Sequence, residues 1–160
     1  MEDELYNKFT KRTKNHIKLV NKYAHKVGLQ FPNHDGDKLT LLSNGYKYYS
    51  KPKEERTEEE QKALDDATLI HITTNPHHPE SWTNDDLSGF TRKNFTPNGP
   101  IDATSMMEPY ISELCADWCA VSEEMGNTPF EWFEKVNGKR WLFSEEQQKL
   151  ILETLHKMWK

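Results

Sequence analysis

A chain of 160 residues is long enough to bury a core of its own, and five Trp, six Tyr and seven Phe supply bulky material for it. The net charge of -5, without a long basic run, argues against a stable nucleic-acid complex and leaves small nucleotide-like ligands open. No apolar run approaches the ~18 residues that span a bilayer, and the basic, polar N-terminus lacks the apolar stretch of a secretory signal, so a single-domain cytoplasmic protein with no membrane partner is expected.

The spacing of His16, Val20, Tyr23 and Val27 predicts a first helix from about Asn7 to Lys26, ended by Gly28. "LTLLSNGYKYY" reads as a second, apolar helical stretch. Residues 50–60, "SKPKEERTEEE", read as a solvated polar linker running into a third helix, whose acidic start suits the helix dipole. That helix carries Leu64, Ala67 and His71 on one face and stops before Pro76. Residues 79–105 form a long irregular excursion rich in Pro, Gly, Asn and Asp, and loops of that length are functional or disordered.

A fourth helix is predicted from Thr104 to Glu124, with Met107, Tyr110, Leu114, Asp117 and Val121 as its inward stripe. Cys115 and Cys119 on it read as core thiols, since a disulfide between neighbours on one helix is geometrically awkward. A last helix begins after Ser144, which with Gln147 has capping-box spacing. No alternating strand of useful length is present, so the expectation is an all-α, compact, single-domain helical bundle.

Three helices thus place a ligand-type residue on a core-facing stripe: His16, His71 and Asp117. His34 and Asp35 open the second stretch, and His77 and His78 follow the Asn75-Pro76 turn. A lone inward histidine is usually a hydrogen-bonded core residue, but an unpaired buried carboxylate costs several kcal/mol. A divalent cation would compensate Asp35 and Asp117 and use neutral imidazoles as ligands.

The order His16, His34-Asp35, His71, His77/His78, Asp117 resembles the HD-domain superfamily of metal-dependent phosphohydrolases, with "HDGDK" matching the version that has Lys38 one turn later. More closely, the chain is similar to a family of small uncharacterised phage and bacterial proteins. Their HDxSK, HHxxxNxHHPE, EMxxDW and NxKR motifs correspond to "HDGDK", "IHITTNPHHPE", "ELCADW" and "NGKR". Ile70 replaces the first histidine of the family's leading pair, and Asp37 stands where Ser is frequent.

The resemblance implies an HD-type bundle holding one or two divalent ions (Mn, Fe, Co, Zn or Mg). His16, His34, Asp35 and Asp117 would hold one, and Asp35 would bridge to a second held by His71 and by His77 or His78. Two cations about 3.5–4 Å apart would activate a water and clamp a phosphoryl group. Catalysis is then expected of Asp35, Lys38 and Glu113, with Lys38 offsetting phosphate charge. Glu113 has two readings, an orienting carboxylate or a surface side chain.

For the substrate, Lys38, His78, Trp82, Arg92 and Lys93 are candidates. Trp82, Phe90 and Phe95 either stack a base or pin the excursion to the domain, and Lys139 and Arg140 either reach a phosphate or form surface salt bridges, the second reading being favoured. His25 reads as exposed, and His156 near the C-terminus as favouring the helix dipole.

The implied activity is hydrolysis of a small phosphate ester, foremost a nucleoside or deoxynucleoside 5'-monophosphate, with a homodimer possible. Pyrophosphohydrolysis or cyclic-nucleotide cleavage would use the same centre. A di-iron oxygenase and a phage accessory protein with a structural metal are the rival classes.

Overall fold

The computed structural model describes residues 2–160, with side chains from residue 4 onward. The chain runs α1 (Glu2–His25), α2 (Ser43–Tyr46), α3 (Glu58–Thr74), β1 (Ile101–Asp102), α4 (Glu108–Met125), α5 (Pro129–Val136), β2 (Trp141–Leu142) and α6 (Glu145–Met158). It is an all-α bundle, and its strands form only a short parallel pair, Ile101 against Trp141 and Asp102 against Leu142. No described helix is long and apolar enough to cross a membrane.

Helix α1 begins nearer the N-terminus than its apolar spacing predicts, because Phe9 and Thr13 extend the stripe of His16, Val20 and Tyr23. Gly28, at φ 77°, ends the element that follows it. Helix α4 packs on both α1 and α6. Its buried face is Ile111, Leu114, Cys115, Trp118 and Cys119, with both thiols free.

The predicted stripe of α4 is therefore the margin of that face: Met107 and Val121 are 57% and 40% exposed. The helix also starts later than expected, at Glu108, because Pro109 fits a first turn and Met107 is the N-cap. This shift puts Asp117 where core meets solvent.

The stretch read as a second apolar helix is corrected by the structure. Residues 36–50 form a 3-10 turn (Gly36–Leu39), the four-residue α2 and another 3-10 turn (Lys47–Ser50). The short α2 seats closely on α3: a Cβ at Gly45 would stand 2.7 Å from both Ala63 O and Ala67 Cβ, which only glycine permits. Leu41, counted as apolar helix material, is 88% exposed.

The polar linker is ordered. Thr57 and Glu60 form a capping box that starts α3 inside it, Lys51 pairs with Glu60 at 2.8 Å, and Arg56 Nε donates to Tyr48 O. Helix α5, with its own capping box of Thr128 and Glu131, and the strand pair are elements the sequence reading lacks. The Ser144–Gln147 box at the start of α6 is present as expected.

Two apolar cores result. The larger gathers the second half of α1 with α4, α5 and α6 around Val20, Leu114, Ile151 and Leu155. The smaller gathers Phe9, Tyr46, Leu64 and Ala67. His16 lies on α1 between Phe9 and Val20, at the seam of the two.

Candidate metal centre

At that seam α1, the 33–38 turn, α3, the 75–80 turn and α4 bring seven donors together. Asp35, His71, His77 and His78 form one group, His16, His34 and Asp35 a second, and His34, His77 and Asp117 a third. Within each group one ligand atom per residue lies within 4.8 Å of the others.

Asp35 stands in the middle. Its Oδ2 is 3.7 Å from His16 Nε2 and 3.5 Å from His34 Nε2. Its Oδ1 is 3.1 Å from His71 Nε2 and 3.3 Å from His77 Nε2. His16 Nε2 in turn lies 2.8 Å from Asp117 Oδ1. The backbone of Asp35 is left-handed at φ 54°, a conformation that Asp tolerates better than most residues and that recurs at functional sites.

The outward nitrogens decide what the inward ones can do. His34 Nδ1 donates to Glu113 Oε2 at 2.8 Å, and His77 Nδ1 reaches the same oxygen at 3.0 Å. His71 Nδ1 donates to Asp37 Oδ2 at 2.9 Å, which Asn75 Nδ2 also supports at 2.7 Å. His16 Nδ1 is 3.3 Å from Glu124 Oε1. Carboxylates only accept, so these contacts place a proton on each Nδ1, and any ring that gives up its second proton points its Nε2 lone pair inward.

His71 Nε2, His77 Nε2 and Asp35 Oδ1 are buried and have no hydrogen-bond partner among the described residues. Their short separations are out of line for hydrogen bonds. Lone pairs aimed at a carboxylate oxygen repel it, and a cation between them removes the conflict. The donor set is therefore compatible with a metal ion, which His16, His34, Asp35 and Asp117 would hold on one side and Asp35, His71, His77 and His78 on the other.

Charge is arranged accordingly. Burial opposes protonation of His16, but Asp117 and Glu124 raise its pKa to about 9. His34 also reaches about 9, against burial, through Asp35, Asp117 and Glu113. Asp35 stays well below the usual carboxylate range despite burial, held there by Lys38 and His34. Lys38 Nζ sits 3.1 Å from Asp35 Oδ2. Burial and the neighbouring His77 and His71 push His78 well below its ordinary value, so it is the neutral imidazole of the group. His34 and His77 draw Glu113 to about 2 against its own burial.

Glu113 is thus an orienting carboxylate and not a surface side chain. Glu124 and Asp37 act alike and were not foreseen, although Glu124 lies two helical turns after Asp117 and the pattern was legible. His25 is exposed, as expected, and His156 stands in the last turn of α6.

A cavity of about 510 Å³ opens on the His78 and Asp117 side of the cluster. Its walls come from α4, α5 and the segment around β2, including Trp118, Trp132, Trp141 and Arg140. The 82–103 excursion does not supply this lining. Trp82 donates its Nε1 to Pro76 O and packs on Tyr110. Phe90 and Phe95 pack edge to face at 5.1 Å, Arg92 Nη1 donates to Thr68 Oγ1, and Lys93 is exposed. These contacts pin the excursion to the domain and leave Trp82, Arg92 and Lys93 outside the cavity.

Arg140 corrects a further expectation. Its salt bridge is not a surface one: Nη2 pairs at 3.1 Å with Glu80, whose side chain is fully buried.

Comparison with curated proteins and with solved structures gives no match. A model of a family of unknown function, DUF5662, matches residues 5–157, nearly the entire chain and every residue of the cluster. The chain belongs to that family.

Proposed function

We propose that this protein is a metal-dependent phosphohydrolase of the HD type, acting on a small phosphate ester and foremost on a nucleoside 5'-monophosphate. The observation that carries the proposal is the double use of Asp35, whose two oxygens face two donor sets. Cations held there would supply the Lewis acidity that makes water a nucleophile at neutral pH and that binds phosphoryl oxygens.

The chain's own residues do the rest. Glu113, Glu124 and Asp37 hold the imidazoles in the tautomer a ligand needs. Lys38, kept charged beside Asp35, offsets negative charge where a phosphate would arrive. A metal that only braced the fold would need no such extra cation. His78, neutral and on the cavity wall, either completes the second donor set or accepts a proton from the reacting group. The cavity is within the usual size of small-molecule sites, and its indole walls suit a flat ring.

The test is a phosphate-release screen over nucleotides with Mn, Co, Mg, Zn and Fe(II). Release that needs both metal and Asp35 is the expected result. A protein that binds metal yet releases phosphate from none of them would refute the reading.

A further inference from the structure

Besides His78 and Asp117, the cavity wall presents the guanidinium-bearing Arg140. Its guanidinium lies over the rings of Phe95 and Trp141, 4.0 and 4.2 Å from their centroids. Nη2 is fixed by Glu80 Oε2 at 3.1 Å, and the same oxygen accepts from Trp141 Nε1 at 2.9 Å. Nε is buried without a partner, whereas Nη1 makes no hydrogen bond among the described residues and is not shut off from solvent.

Arg140 lines the same cavity as Asp117 and His78. A largely buried Glu–Arg pair contributes little net stability over an apolar pair of similar size. Here the pair holds a stacked guanidinium whose Nη1 is left without a protein partner among the described residues. A guanidinium only donates, so the group it meets must carry oxygen or ring-nitrogen acceptors and no amino group at that point.

We infer that Arg140 selects the far end of the substrate, taking a planar ring that presents a carbonyl oxygen and rejecting the same ring with an amino group there. The inference rests on the cluster being the phosphate end of the cavity. Among nucleotides it favours inosine, guanosine, uridine or thymidine 5'-monophosphate over adenosine or cytidine 5'-monophosphate. Glu80, which touches Arg140 and not the ligand, is the positioning residue.

Equilibrium binding tests this independently of turnover, with Trp118, Trp132 and Trp141 in the cavity wall as fluorescent reporters. Metal-loaded protein is titrated with inosine and adenosine 5'-monophosphates, which differ at one ring substituent, and then with the uridine and cytidine pair. The oxo ligand is expected to bind about tenfold more tightly or better, because an amino group at that point would leave the Nη1 donor unpaired.

The double variant Arg140→Met with Glu80→Gln removes the donors without stranding a buried carboxylate, and the ratio should fall to about one. A merely structural Arg140 would weaken all four ligands alike and keep the ratio. If the double variant does not fold, Arg140→Gln offers an acceptor as well as a donor to the ring, and the ratio should still fall.

Equal affinities in the wild type, no nucleotide binding, or a ratio that survives in the variant would each overturn the inference. Preferential binding without phosphate release would refute only the hydrolase reading.

Discussion

The two halves of the cluster, divided by Asp35, solve the same electrostatic problem unequally. On the Oδ2 side two imidazoles meet two carboxylates, and His16 Nε2 already lies 2.8 Å from Asp117. Protons on His16 and His34 can neutralise that half. On the Oδ1 side three imidazoles face one carboxylate oxygen, and His71 and His77 keep unsatisfied Nε2 atoms. Each of these nitrogens must take up a proton or meet a cation to face that oxygen without repulsion. The first half thus carries more of the charge that would hold a cation, and the second leaves more of its buried donors unpaired.

Removing the shared residue should abolish the comparison altogether. Asp35→Ala is expected to bring metal content, measured by elemental analysis, and phosphate release to background, whereas retained metal would dissolve the two-half description. Lys38→Ala should keep the metal and lower turnover on the order of 10²-fold, the scale of one preorganised charge. Equal loss of both would make Lys38 a structural partner of Asp35.

Two isosteric changes then separate the halves. Asp117→Asn should weaken the first-half cation roughly 10- to 100-fold and spare the second, and Asp37→Asn should do the reverse by acting through His71. Calorimetric metal titration reads both, and identical profiles for the two variants would mean one indivisible site.

A smaller effect is expected from pH. His16 and His34 titrate near 9 in the metal-free fold, against ~6.5 in an unfolded chain. Their raised pKa values stabilise the fold fully below ~6.5, and that contribution is lost as pH rises through about 9. Metal-free protein should therefore melt at a lower temperature at pH 9 than at pH 7. Saturating Zn or Mn should oppose the trend, because neutral imidazoles are the ligands. A melting temperature flat with pH would contradict the charge assignment of the first half.

The smallest change lies outside both halves. Ser144→Ala removes the α6 cap and should cost about 1 kcal/mol, or roughly 2–4 °C, with metal binding intact.

What the sequence made legible follows the same division of physical causes. His16, His71 and Asp117 were visible because a polar residue on an apolar helical stripe breaks a strong periodic pattern. His34-Asp35 and His77-His78 were visible as motifs beside turns.

The cavity wall was not visible. Helix α5 is short, and Arg140 and Glu80 meet across 60 positions of sequence with no periodic signal. The close seating of Gly45 against α3 was likewise invisible, since it joins residues from separate elements.

Cys115 and Cys119 have a practical consequence. Both are completely shielded, and burial pushes their thiols up, Cys119 to about 12 and Cys115 well above its ordinary value. Neither offers a thiolate to a maleimide while α4 is packed between α1 and α6. Alkylation of either can proceed only when the bundle opens, so its rate under native conditions is a clock for that opening. Run with and without added metal, the clock measures how strongly the seam between the two cores holds the rest of the molecule closed.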